Sequence, residues 1–151
     1  MIKGIGVHIK VNNFKKSKEF YESLGFKKVF EYGKGTAVNE DYNGVVFEHT
    51  SGKIELANGH RAVKPEVFKQ KVTSAKISLM INVDYLSEII KRCKKHKIAL
   101  AVKPRHYYWG TLECVVKDPD GVVLVFIAPY TSEEAAKLKA DERFGKKLTQ
   151  I

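Results

Sequence analysis

The sequence predicts an α+β fold in which two βαβββ units form a curved mixed sheet around a cavity. Alternating apolar segments typical of half-buried strands occur twice, and each is followed by a helical pattern and further strands. Gly-rich and Asp-rich turns separate those strands. The length of 151 residues and the 44% hydrophobic content fit one domain with its own core.

The first unit is expected over residues 1–60 of a single domain spanning 1–151. Residues 5–11 alternate strictly between apolar and other side chains, which predicts a half-buried strand. Asn13 stands at a helix N-cap position, and Gly25 follows the helix as a C-terminal glycine. The remaining strands of this unit are predicted over residues 28–32, 44–50 and 53–57.

The second unit, over residues 76–131, repeats this order after a linker at 61–75. Residues 77–83 alternate again, and Asp84 is expected to cap a helix whose apolar face includes Cys93. Strands follow near 100–103 and over 111–116 and 122–128. The polar segment 132–148 predicts a C-terminal helix over about 132–147, with Ser132 as its N-cap and with Glu133 and Glu134 placed favourably for the helix dipole.

Composition narrows the classes of partner. The formal net charge is +10, but most of the excess is lysine scattered over predicted helices and turns, without a helix-turn-helix or zinc-finger pattern. We therefore expect no nucleic-acid partner, and a cationic surface that favours neutral or anionic ligands. No apolar run approaches the ~18 residues that span a bilayer, so no membrane is expected. Cys93 and Cys114 lie in apolar positions that suit reduced thiols, which favours the cytoplasm.

Strand parity separates the residues that face the helices from those that face the concave side of each sheet. The apolar members of each strand are assigned to the helix side, and the remaining members to the concave side. The concave residues are Gly6, His8, Lys10, Lys53, Glu55, Ala57, Ser78, Met80, Asn82, Val123, Val125 and Ile127. Glu113 shares the parity of Thr111 and Val115 and is expected to face the cavity too.

Two motifs point to a known family. Residues 11–14, Val-Asn-Asn-Phe, are followed by Phe-Tyr-Glu-Ser-Leu-Gly-Phe at 20–26. Trp109-Gly110 precedes the turn Asp-Pro-Asp-Gly at 118–121. Both motifs, in this order in a duplicated plan, resemble those of the vicinal-oxygen-chelate superfamily (glyoxalase, bleomycin resistance protein and dioxygenase), and the resemblance extends to about Pro129. It implies the glyoxalase/bleomycin resistance fold.

The same resemblance implies four metal-ligand positions, on the first and last strands of each unit. Aligned on the starts of the helices, these positions hold Gly6, Glu55, Ser78 and Val125. Only Glu55 binds a divalent ion well, so no metal cofactor is expected and the family's usual metal-dependent reactions are in doubt. Whether the protein is an enzyme stays open.

His8 has three possible interpretations. It is a relocated metal ligand that binds a divalent metal together with Glu55, a hydrogen-bonding pocket residue or general base, or a satisfied, partly buried histidine. The cluster of Tyr107, Tyr108 and Trp109 has two interpretations: it stacks on a planar ligand, or it caps the sheet or lies in a dimer interface.

The sequence thus predicts a protein that binds a small neutral or anionic metabolite without a metal. The alternative is a metal-dependent lyase or ring-cleaving dioxygenase with relocated ligands. A homodimer is implied by the resemblance to the bleomycin-resistance branch. The predicted ligand-binding residues are His8, Lys10, Glu55, Ser78, Met80, Asn82, Tyr108, Trp109 and Glu113.

Overall fold

The structure is a computed structural model that describes residues 1, 3–59, 66, 69–74 and 76–146. It contains two compact units: Met1–Thr73 with the loop Pro119–Gly121, and Ser74–Asp118 with Val122–Ile151. Much of the predicted linker at 61–75 lies outside the described residues.

The first unit follows the predicted βαβββ order. Its elements are β1 (Gly6–Lys10), α1 (Phe14–Ser23), β2 (Lys28–Tyr32), β3 (Gly44–His49) and β4 (Gly52–Ala57). The strands form a sheet in the order β1-β4-β3-β2, in which β1 and β4 are parallel and the other pairs are antiparallel. The parallel pair joins the first and last strands of the unit.

The core of the first unit lies between α1 and one face of this sheet. The ring of Tyr21, which is fully buried, stacks on Phe47 with 6.1 Å between ring centroids. Val45 and Leu56 are also fully buried and are cross-strand partners in β3 and β4. Phe47 thus belongs to the helix side of the sheet. As predicted, Asn13 caps α1, where its side chain accepts a hydrogen bond from Lys16 N.

The second unit repeats the plan. It contains β5 (Ser78–Asn82), α2 (Leu86–Lys95), β6 (Val102–Tyr107), β7 (Thr111–Lys117), β8 (Val123–Pro129) and α3 (Ser132–Leu138). The sheet order is β5-β8-β7-β6, again with a parallel pair between the first and last strands, β5 and β8. Apolar side chains of α2 and of alternate positions in β7 and β8 are buried. These are Leu86, Ile89, Ile90, Cys93, Leu112, Cys114, Val116, Leu124 and Phe126.

Both predicted helix caps in the second unit are wrong. The N-cap of α2 is Tyr85, without a side-chain hydrogen bond, and Asp84 lies one residue earlier. The N-cap of α3 is Thr131, whose hydroxyl accepts a hydrogen bond from Glu134 N, rather than Ser132. In each case, the capping residue is the last extended one, a property of backbone conformation that residue type alone does not fix.

The predicted C-terminal helix is too long, because α3 ends at Leu138. Lys139 adopts the left-handed conformation that stops it, with φ of 50°. The chain then runs along the edge of β6, where Asp141 forms a parallel bridge with Arg105. A sequence rich in Glu, Ala and Lys favours a helix by propensity. After Leu138, however, backbone N–H and C=O groups form hydrogen bonds with the edge of β6 instead of continuing the helix.

Strand β6 lies further along the chain than predicted, and it contains both His106 and Tyr107. His106 is half-buried, and its ring stacks on Tyr130 with 3.6 Å between ring centroids. Cys93 and Cys114 are free and buried, as predicted. No helix among the described residues is both long and apolar enough to cross a membrane.

Candidate functional site

The face of the first sheet opposite α1, called here the open face, carries three of the predicted site residues. His8 of β1 lies directly opposite Glu55 of β4, and Lys10 lies opposite Ala57. Cross-strand partners point to the same side of a sheet, so His8, Lys10 and Glu55 share this face. This pairing fixes the register of β4 against β1 in the first unit.

Lys10 and His8 contact each other on the open face. Lys10 Nζ lies 2.8 Å from His8 Nδ1 and 3.0 Å from His8 Nε2, so the ammonium group contacts both nitrogens of the imidazole ring. Lys10 is half-buried. Burial lowers the pKa of its amine below the usual value and outweighs the opposing attraction of Glu55. The ammonium is thus partly desolvated, which strengthens its interaction with any anion that approaches.

Glu55 is held by a residue that the sequence did not identify. The hydroxyl of Tyr32, in β2, donates a hydrogen bond of 2.8 Å to Glu55 Oε1. To reach it, the phenol lies across β3 at Gly44, where a Cβ atom would overlap the ring. Burial and the Glu55 carboxylate raise the pKa of Tyr32. The signal available in the sequence was the glycine that begins this predicted strand, since a strand glycine often marks close approach of another group.

In the second sheet, the predicted residues of β5 lie on the face opposite α2. Ser78, Met80 and Asn82 are exposed, and Met80 is the cross-strand partner of Val125. Asn82 also lines a shallow depression of about 440 Å³ at one end of this sheet. The other residues lining the depression are Val83, Asp84, Gly110, Thr111, Ile127, Ala128 and Pro129.

Trp109 and Glu113 form a second polar group in this unit. Glu113 Oε1 accepts hydrogen bonds from Trp109 Nε1, at 3.0 Å, and from Thr111 Oγ1, at 2.7 Å. The indole stacks on Tyr107, with ring centroids 4.6 Å apart and planes within 6°. Tyr108 meets Trp109 edge-on at 5.0 Å. Trp109 remains 56% exposed, so one face of this aromatic cluster is accessible.

The structure therefore brings His8, Lys10 and Glu55 together in the first unit, and Trp109 and Glu113 together in the second. Tyr108 lies beside them, and its backbone N donates to Phe144 O.

The residues of the first open face do not fit a resident divalent metal. His8 and Glu55 are the candidate donors, but the Lys10 ammonium occupies the vicinity of the imidazole and adds positive charge there. At Gly6, one of the four expected positions, the stem of Lys53 lies where a side chain would project. Among the described residues, no group of three or more His, Cys, Asp or Glu side chains is placed to hold a metal ion.

Comparison with known proteins identifies the family. Residues 6–126 match the Glyoxalase/Bleomycin resistance protein/Dioxygenase superfamily. No curated protein matches the chain. Among solved structures, the bleomycin resistance determinant encoded on the transposon Tn5 is 21% identical, with a TM-score of 0.57 over 86% of this chain and 100% of that one.

Two further structures are similar in fold. The fosfomycin resistance protein FosX from Listeria monocytogenes, complexed with Mn(II) and sulfate, is 14% identical, with a TM-score of 0.58 over 90% of this chain and 99% of that one. A glyoxalase I variant from Zea mays is 16% identical, with a TM-score of 0.66 over 85% of this chain and 46% of that one.

The duplicated βαβββ plan and the parallel pairing of the first and last strands of each unit define an α+β protein of the glyoxalase/bleomycin resistance fold. The chain belongs to the glyoxalase/bleomycin resistance protein/dioxygenase superfamily.

Proposed function

We propose that this protein binds a small neutral or anionic molecule without a resident metal. The observation that carries the proposal is the contact between Lys10 and His8 on the open face of the first sheet. A partly desolvated ammonium group attracts anions and repels cations. Because the Lys10 ammonium lies beside the His8 imidazole, it disfavours the binding of a metal cation by that ring. The net charge of +10 acts in the same direction at longer range.

The second unit supports the same proposal. The accessible face of Trp109, backed by the stacked ring of Tyr107, suits a planar group of a ligand. Glu113 fixes the indole through Nε1, so the aromatic surface is ordered before a ligand arrives. Ser78, Met80 and Asn82 add exposed groups on the same sheet, and we include them among the proposed binding residues of the second unit. We also propose a homodimer, as the superfamily resemblance implies.

A second candidate function is a metal-dependent lyase or ring-cleaving dioxygenase. One observation favours it, namely that His8 and Glu55 are directly opposite each other on adjacent strands. A divalent metal held there would polarise an oxygen of the substrate. The FosX structure complexed with Mn(II) shows that a protein of this fold has been crystallised with such an ion.

Elemental analysis and native mass spectrometry of protein purified without added metal separate the two functions. The proposal predicts less than 0.1 equivalent of Mn, Fe, Ni or Zn, at about the level of nonspecific binding, and no tight site in a Mn(II) titration followed by electron paramagnetic resonance. Stoichiometric, chelator-resistant metal that His8→Ala and Glu55→Ala both remove would establish the alternative. The same mass spectra report the oligomeric state.

Ligand-observed NMR with benzoate, benzamide and benzylamine tests the preference for charge. We expect benzoate or benzamide to bind and benzylamine to bind at least about tenfold more weakly, since it meets the lysine cations. His8→Ala should weaken benzoate binding without lowering the melting temperature, because His8 is exposed. Preferred binding of benzylamine, or unfolding of the His8 variant, would contradict the proposal.

A further inference from the structure

The open face of the first sheet presents two hydrogen-bonding pairs of opposite character. Lys10 and His8 form a pair that offers positive charge and N–H donors. Tyr32 and Glu55 form a pair whose carboxylate accepts hydrogen bonds. A ligand that satisfied both pairs would need an anionic group at one position and a donor group at the other.

The two pairs are close together. His8 and Glu55 are cross-strand partners, and adjacent strands are ~4.8 Å apart. Lys10 is two residues further along β1, but its ammonium turns back to the His8 ring. The cation therefore lies nearer to Glu55, the cross-strand partner of His8. The attraction of the Glu55 carboxylate raises the pKa of Lys10, in opposition to the larger lowering by burial. A short ligand of a few carbon atoms spans such a separation.

The position of Glu55 is fixed before a ligand binds. Tyr32 is 9% exposed and packs edge-on against Tyr42, with ring centroids 5.7 Å apart. Its hydroxyl holds Glu55 through Oε1, and the phenol reaches it only because residue 44 is glycine. This arrangement orients the carboxylate on the open face instead of leaving it to rotate in solvent. A preorganised acceptor of this kind contributes to selectivity.

We propose, on the basis of the binding function inferred above, that this face recognises a small hydroxycarboxylate. The ligand carboxylate binds the Lys10 ammonium and His8, and the ligand hydroxyl donates a hydrogen bond to Glu55. Lysine has three N–H donors, so contact with His8 leaves donors for a carboxylate. Lys53, whose stem lies over Gly6 on the same face, adds a second positive charge.

The same geometry disfavours a dicarboxylate. Its second anion would lie against Glu55 and would bring like charges together in a partly desolvated site, where repulsion is strong. An acid without a hydroxyl would leave the Glu55 acceptor without a ligand donor. The expected order of affinity is hydroxycarboxylate, plain carboxylate, then dicarboxylate.

The test uses 3-hydroxypropionate, propionate and malonate as probes, titrated into the protein while the ring signals of His8 are followed by NMR. His8→Gln identifies those signals. We expect 3-hydroxypropionate to bind about tenfold more tightly than propionate, and propionate more tightly than malonate. Similar affinities for all three acids, or an order that puts malonate first, would overturn the proposal.

Two variants assign the roles, and a third is the control. Lys10→Met should weaken the binding of all three acids by about tenfold or more, because it removes the positive charge that holds the carboxylate. Glu55→Gln should keep propionate binding and remove the discrimination against malonate. It should also weaken the preference for the hydroxyl, because a neutral amide oxygen accepts a hydrogen bond less strongly than a carboxylate. Lys117→Met removes the same charge from β7, in the other unit, and should change nothing. If Lys10→Met and Lys117→Met behave alike, the site is not at Lys10.

The outcomes also separate this proposal from the proposed function. Equal binding of the three acids, with benzoate still preferred over benzylamine and no metal bound, would reject hydroxycarboxylate recognition and leave the broader function standing. A tight metal site at His8 and Glu55 would reject both.

Discussion

At the residue scale, one hydrogen bond depends on a missing side chain. Tyr32 reaches Glu55 by lying across β3, and Gly44 is the residue that allows it. Burial and the neighbouring carboxylate both stabilise the neutral phenol, so they raise the pKa of Tyr32 above its usual value of 10.0. This interaction connects the open face of the first sheet to the stability of the fold.

The sign of the resulting pH dependence follows from linkage. Because the folded-state pKa of Tyr32 is raised, the stabilisation is fully present below pH ~10, where an unfolded tyrosine is still protonated, and is lost as pH rises beyond that value. Tyr32→Phe should therefore cost about 1 kcal/mol at neutral pH and flatten the fall in stability above pH ~10. Urea unfolding at a series of pH values measures both effects. Tyr85→Phe, at an exposed position, is the control; equal pH profiles for the two variants would contradict the assignment.

At the scale of elements, carboxylates distant in sequence hold the starts of both long helices. Asp120 accepts hydrogen bonds from Asn12 N, at 3.0 Å, and from Ser17 Oγ, at 3.3 Å. Glu134 accepts from Ser87 N, at 3.1 Å, and from Ser87 Oγ, at 2.9 Å. Both carboxylates are buried. The aspartate-rich turn at 118–121, part of the motif that marks the family, therefore anchors α1 in addition to closing a hairpin.

Replacing Asp120 tests this role. Asp120→Ala leaves two donors at the start of α1 without their acceptor, so we expect a loss of about 2 kcal/mol in the free energy of unfolding. Asp84→Ala is a matched control beside α2, since Asp84 is exposed and is not the N-cap of that helix. It should change stability by less than ~0.5 kcal/mol. Equal losses in chemical denaturation would mean that Asp84 stabilises α2 after all.

At the scale of the whole molecule, the segment after α3 covers a sheet edge. His106 N donates to Asp141 O, Asp141 N to Pro104 O, and Tyr108 N to Phe144 O, each at 2.9 Å. The guanidinium of Arg105 lies 4.8 Å from the centre of the Phe144 ring. An uncovered edge strand invites pairing with other chains, so this segment protects β6 from association.

Ending the chain at Lys139 should therefore produce larger assemblies and a lower melting temperature. Light scattering after size-exclusion chromatography measures the first effect, and calorimetry measures the second. Glu142→Gln alters only the side chain that contacts His106 and keeps the backbone hydrogen bonds of the segment. We expect that variant to elute like the unmodified protein. If the truncated chain kept the oligomeric state and the melting temperature of the full chain, the segment after α3 would not be needed to protect the edge of β6.

The sequence by itself determined the duplicated βαβββ plan, the family and the face to which His8, Lys10 and Glu55 belong. Hydrophobic alternation and turn residues are local signals, and strand parity follows from them directly. Only the tertiary structure decided the contacts of those residues: Lys10 turned onto His8, Tyr32 crossing Gly44 to Glu55, and the end of α3 at Leu138. These features depend on contacts between different strands, on a side-chain rotamer or on pairing with a sheet edge. Packing and the need to hydrogen-bond backbone N–H and C=O groups decide them, and the local sequence does not.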